Sequence, residues 1–189
     1  MAQPAGGIKE ALVRRHRAAT KVVAGVFALS TLLLVVAAVR WLAAGGRTFK
    51  DLADETLGRV SPERAHDPVV LMTMWLVVAF IALGAIYFRR ARFAPVRLQA
   101  IAGLRGAGGL LETLQKTTAQ VALMGAAVAV IGFVSSLLTG LLGDMLRGWL
   151  ISAVVLAYAY PRLGAWRRVV EAADEVGVEA DPAAKGTLA

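Results

Sequence analysis

The sequence predicts an all-α polytopic membrane protein: a four-transmembrane-helix antiparallel bundle, N-in and C-in, with short interfacial helices. Three observations carry that prediction. Four apolar segments, 22–44, 68–88, 117–142 and 148–166, run about 19 to 26 residues each, and a helix needs about 20 to cross a ~30 Å hydrocarbon layer. None of them has a charged residue in its middle. The cations are also unevenly shared between the two sides that these segments would separate.

The sharing follows the chain. Before the first segment stand Lys9, Arg14, Arg15, Arg17 and Lys21 against Glu10 alone. Between the second and third come Arg89, Arg90, Arg92, Arg97, Arg105 and Lys116 against Glu112, and the tail adds Arg162, Arg167, Arg168 and Lys185. The other side holds Arg40, Arg47, Lys50, Arg59 and Arg64, which five acidic residues of the same loop balance, and then Arg147 beside Asp144. Positive-inside bias puts the richer side, and with it both termini, in the cytoplasm. The expected location is a cell membrane, multi-pass, of the bacterial inner-membrane kind. A net charge of +8 is thereby read as topology and attraction to anionic headgroups, and nucleic acid is excluded as a partner.

Each element has its own signals. Residues 1–21 form a basic N-terminal segment that leads into the first span as an interfacial helix. The first span (22–44) offers only Ser30 and Thr31 as polar residues over 22–39, so it is apolar all round. It exceeds the 7–15 residues usual for a signal-peptide core and is read as an uncleaved anchor, closed by Arg40 and Trp41. The outer loop (45–67) carries one short amphipathic helix with Phe49, Leu52, Leu57 and Val60 on its apolar face. Ser61-Pro62 and Asp67-Pro68 are helix-start signals, and the latter opens the second span (68–88).

The basic linker (89–116) holds a second interfacial helix over 95–105, broken by Gly106-Ala107-Gly108-Gly109. The third span (117–142) meets the fourth (148–166) across a short outer loop (143–147), which makes the two antiparallel neighbours. Pro161 lies inside the fourth span and is expected to kink its last turns. The cytoplasmic tail (167–189) turns acidic and then rich in Ala, Pro and Gly, and is expected to be partly disordered. Spans two and four both end in an aromatic residue followed by two arginines, which raises a tandem duplication of a hairpin. Residue matches between spans one and three are poor, and the question stays open.

Within the spans, the small residues are the strongest motif. Gly125, Ala129, Gly132, Ser136 and Gly140 form a row on span three, and such rows let helix backbones approach closely where no hydrophobic effect drives association. Ala24 and Ala28 make a shorter row on span one, expected to face the same seam. The row serves either contacts inside the chain or an intermolecular face. A candidate polar path could be assembled from Ser30, Thr31, Ser135 and Ser152, although hydroxyls in helices ordinarily bond back to their own turn.

Chemistry has little to build on. The absence of cysteine removes thiolate catalysis, iron–sulfur clusters and cysteine zinc sites. His16 and His66 fall on opposite sides of the expected membrane and cannot share a haem or a metal. No nucleophile–base grouping or phosphate loop is present, so no catalytic residue, metal ligand or cofactor is expected, and the chain is not read as an enzyme. An accessory or scaffold subunit packing against a larger membrane complex is the leading expectation, its partners the bilayer and a membrane protein or further copies of itself. The alternative is a small oligomeric transporter or channel for an apolar, amphiphilic or neutral solute. A proton-coupled carrier normally needs a carboxylate within the membrane, and Asp144 is the nearest candidate.

Overall fold

The computed structural model describes residues 5–45, 54 and 68–179, and among these the chain is helical with no strand. Five helices follow one another: α1 (Ala5–Ala43), α2 (Pro68–Arg92), α3 (Pro95–Thr139), α4 (Leu142–Ala159) and α5 (Leu163–Glu179). Four apolar stretches are long enough to cross a membrane: Gly7–Ala43, Val69–Arg92, Pro95–Thr139 and Leu142–Ala172. The amphipathic helix expected within 45–67 lies outside the described residues.

α3 is the axis of the bundle and packs against all four other helices, most extensively α4 and α1. Half of the apolar window of α4 is buried and 44% of that of α3, against 17% for α1 and 11% for α2. α3 and α4 are thus the inner pair, and α1 and α2 flank them. α2 is held mainly through Val78 and Ala85, while Phe80, Leu83 and Tyr87 remain exposed.

The two ends of the bundle differ in charge. The start of α1, the α2–α3 corner, the first third of α3 and α5 share one end with nearly all the described cations. Arg40 and Arg147 are the described cations at the other. α1, with 39 residues, is about 58 Å long, and the part of α3 after Gly106 (107–139) is about 50 Å long, both well beyond a ~30 Å apolar layer. Their overhang is at the basic end. There Leu12 and Ala19 of α1, Leu98, Leu110, Leu111 and Leu114 of α3, and Trp166 and Val170 of α5 close the largest buried cluster among the described residues.

Three backbone breaks shape this architecture. α3 leaves helical geometry at Gly106 (φ 63°, ψ −175°), a combination open essentially to glycine alone, and resumes at once. Pro161 does more than the expected kink. Proline excludes helical geometry from the residue before it, so Tyr160 turns extended (φ −56°, ψ 124°) and α4 stops at Ala159. The chain re-enters helix at Leu163, inside what the sequence suggested was the fourth span. α5 then packs against α3 and α1, and the segment expected as tail is helical through Glu179.

The connection between α3 and α4 is also shorter than the loop expected at 143–147. Gly140 takes the left-handed conformation (φ 70°) and its N–H reaches Ser136 O (3.0 Å), which ends α3. α4 begins at Leu142, so only Gly140 and Leu141 join the two helices.

Candidate functional site

The seam between α3 and α4 brings two helix backbones close together. A Cβ placed on Gly132 would stand 2.7 Å from Gly148 Cα, and one on Gly148 would stand 2.7 Å from Gly132 Cα. One turn or two toward the basic end, a Cβ on Gly125 would lie 3.2 Å from Leu156 Cγ and Cδ2. Ala129 is buried between these points. The first part of the small-residue row is therefore used inside the chain. Gly148 is its partner, a residue that reading the sequence had placed only at the edge of a span.

The row does not continue as one face. Ser136 and Gly140 border a cleft of about 130 Å³ with Ala37 and Trp41 of α1. Gly140 is exposed and an added Cβ would meet nothing within 4 Å, so it is a helix terminator rather than a packing residue. Ala24 and Ala28 differ from expectation as well. Both are exposed on the outward side of α1, because Val23 and Ser30 occupy its inward side.

The candidate polar path divides in two. Ser30 and Ser152 are buried with their hydroxyls 3.5 Å apart across the α1–α4 seam, and Ser30 also donates to Val26 O (2.9 Å). Beside them, Trp149 Nε1 donates to Thr31 Oγ1 (3.3 Å), and Thr31 donates to Phe27 O (2.9 Å). Ser135 belongs elsewhere: its hydroxyl points to Met74 Sδ of α2 (3.7 Å). Thr20, Thr73, Thr113 and Thr118 each donate to the carbonyl four residues back, and Ser136 to that three back. These hydroxyls are tied into their own helices or the seams between them.

Asp144 is buried in the first turn of α4, where the helix dipole favours a carboxylate. Thr139 Oγ1 donates to its Oδ2 (2.8 Å), Arg147 Nη1 to its Oδ1 (3.3 Å), and Leu141 N–H to Thr139 Oγ1 (3.2 Å). This knot closes the two-residue turn and commits both carboxylate oxygens. No cluster of three metal-ligating side chains occurs among the described residues.

Sequence reasoning missed one junction altogether. His16 Nε2–H donates to the Pro161 carbonyl (3.0 Å), and its ring meets Trp166 edge-on at 5.6 Å. The pair is 145 residues apart, and nothing local in the sequence marks it. Pro161 is fully buried, so the carbonyl freed by the helix break receives its hydrogen bond from a different helix. Arg89 is anchored nearby over the rings of Tyr158 (4.6 Å) and Phe93 (5.4 Å). No family model, curated protein or solved structure matches this chain.

Proposed function

We propose that this protein is embedded in a cell membrane through its four apolar stretches, with the basic end cytoplasmic, as an accessory or scaffold subunit packed against a larger membrane complex. The charge asymmetry between the two ends of the bundle supports that orientation. The wide exposed apolar surface of α1 and α2 supports embedding, since soluble monomers rarely leave such areas to water.

One observation carries the scaffold role. α1 turns Ala24, Gly25 and Ala28 outward, and an added Cβ on Gly25 would meet no atom within 4 Å. The small-residue row of α3 is spent on α4, whereas this one has no use inside the chain. A second helix could approach α1 closely there.

The test is purification of the full chain in mild detergent, with mass spectrometry of companions, for the native protein and Gly25→Leu/Ala28→Leu. The expected result is a stoichiometric membrane-protein companion that the double variant loses while its own thermal midpoint stays unchanged. A stable monomer with no companion overturns the scaffold role. Solute flux in proteoliposomes that survives Asp144→Asn would instead favour an uncoupled oligomeric channel or transporter.

A further inference from the structure

A groove of about 610 Å³ runs along the outer side of the α2–α3 pair, apolar over most of its length and cationic at one end. Phe80, Gly84 and Phe88 of α2 and Met124 of α3 form its walls, and Arg92 and Arg97 stand at its mouth. The tight corner between the helices brings these two arginines together, as Arg92 is the last residue of α2 and Arg97 the third of α3. The Arg92 guanidinium lies over the Phe88 ring (5.2 Å), which holds it against the groove wall. Among the described residues the ion pairs are Lys116–Glu112 and Arg147–Asp144, so no described carboxylate neutralises either arginine.

We propose that this groove binds an anionic phospholipid, its phosphate between Arg92 and Arg97 and one acyl chain along Phe88, Gly84 and Phe80. The dimensions fit: the twelve residue steps from Phe80 to Arg92 rise about 18 Å, comparable to the ~15 Å depth of one leaflet. The distribution of chemistry fits an amphiphile. A free anion would gain nothing from the aromatic walls, and an extended peptide would leave backbone groups unpaired at that depth. Gly84 is what keeps the groove open, since no atom lies within 4 Å of where its Cβ would be. Arg89, one turn before Arg92, is turned toward α4 and takes no part. The site rests on the membrane embedding proposed above and is independent of any protein partner.

The test is native mass spectrometry of the full chain in mild detergent with equimolar phosphatidylglycerol and phosphatidylcholine. The native protein is expected to retain phosphatidylglycerol at least about tenfold over phosphatidylcholine, as two arginines near one phosphate allow. Arg92→Gln/Arg97→Gln should abolish the preference, whereas Arg14→Gln/Arg17→Gln, an equal charge change at exposed positions of the same end, should preserve it. Gly84→Leu should reduce retention with both cations in place. Equal retention of the two lipids by the native protein, equal losses in both double variants, or full retention by Gly84→Leu would overturn the site. Displacement by millimolar inorganic phosphate would also overturn it and leave a bare anion site. Carbonate extraction of vesicles separates the two levels. A chain released from the vesicles ends the embedding reading and the lipid site with it, while one that stays but shows no preference ends the lipid site alone.

Discussion

The same helices meet in two ways along this molecule. At the basic end α1, α3 and α5 close around Leu12, Leu98, Leu110, Leu111, Leu114 and Trp166, large side chains that fill a continuous core. In the apolar zone more of the buried groups are small: Ala85, Val121, Val155 and Ala159 in one cluster, Val23 and Ala122 beside Leu156 in another, Ala37 beside Leu142 and Met145 in a third, and Gly132 against Gly148. Many of the large side chains there, such as Phe80, Leu32 and Leu123, face outward. Under the proposed membrane embedding, the contrast follows from solvent. In water, burying a leucine or tryptophan stabilises by about 1.5–3 kcal/mol, so large side chains are drawn inward. Surrounded by hydrocarbon, a leucine gains nothing by leaving it, and helices associate through close backbone approach and interhelical polar contacts.

Substitutions can break this contrast, beginning where the effect is largest. Gly132→Leu is expected to yield no folded, monodisperse protein, since its Cβ alone meets the Gly148 backbone. Gly132→Ala should cost about 1–3 kcal/mol through forced separation of α3 and α4. An unchanged denaturation midpoint for either would show that the seam yields freely. At the basic end, Leu111→Ala should cost about 2–5 kcal/mol as a buried cavity. Leu76→Ala, exposed in the apolar zone, should stay within about 0.5 kcal/mol. Similar costs for the two leucines would erase the distinction between the regions.

Smaller effects refine the basic end. Gly106→Ala should cost about 1–3 kcal/mol, because φ 63° with ψ −175° strains any residue with a Cβ. His16→Phe keeps an aromatic ring beside Trp166 but leaves the Pro161 carbonyl without its donor, for about 1 kcal/mol. Faster amide exchange in α5 would report it. Smallest is a pH effect in the linker. The hydrogen bond from Lys116 holds the exposed Glu112 carboxyl below its ordinary value of 4.5. The folded form is thus favoured at pH above that value, and the contribution fades as pH falls through the lowered one. Glu112→Gln should flatten the slope of stability against pH in that acid range, and an unaltered slope would count against the pair.

Much of the helical organisation was legible from short stretches of chain. The glycine run beginning at Gly106 marked a break, and the structure departs from helix at that residue. The hydroxyls at Thr73 and Thr118 bond four residues back as helix geometry leads one to expect. Less was legible where two options shared one local signature. Proline in an apolar stretch signals either a kink or an end, and the burial of Pro161 against His16 selects the end. Glycine at intervals of four signals either packing or termination. Gly132 is the first and Gly140 the second, because only Gly132 faces another backbone. Ala24 and Ala28 were misplaced for a related reason, since spacing shows that two residues share a face and leaves open which way the face turns.

Hydropathy, charge order and the punctuation of glycine and proline are properties of neighbouring residues. From them alone follow the all-helical class, the four long apolar stretches, their order and the gathering of cations toward one end. Partners are a different matter. That Gly148 receives Gly132, that Ser135 turns toward Met74 instead of Ser152, and that His16 supports a carbonyl 145 positions away all depend on where rigid helices cross. A crossing is set by the summed fit of many side chains from distant segments, and no short window of sequence contains that sum.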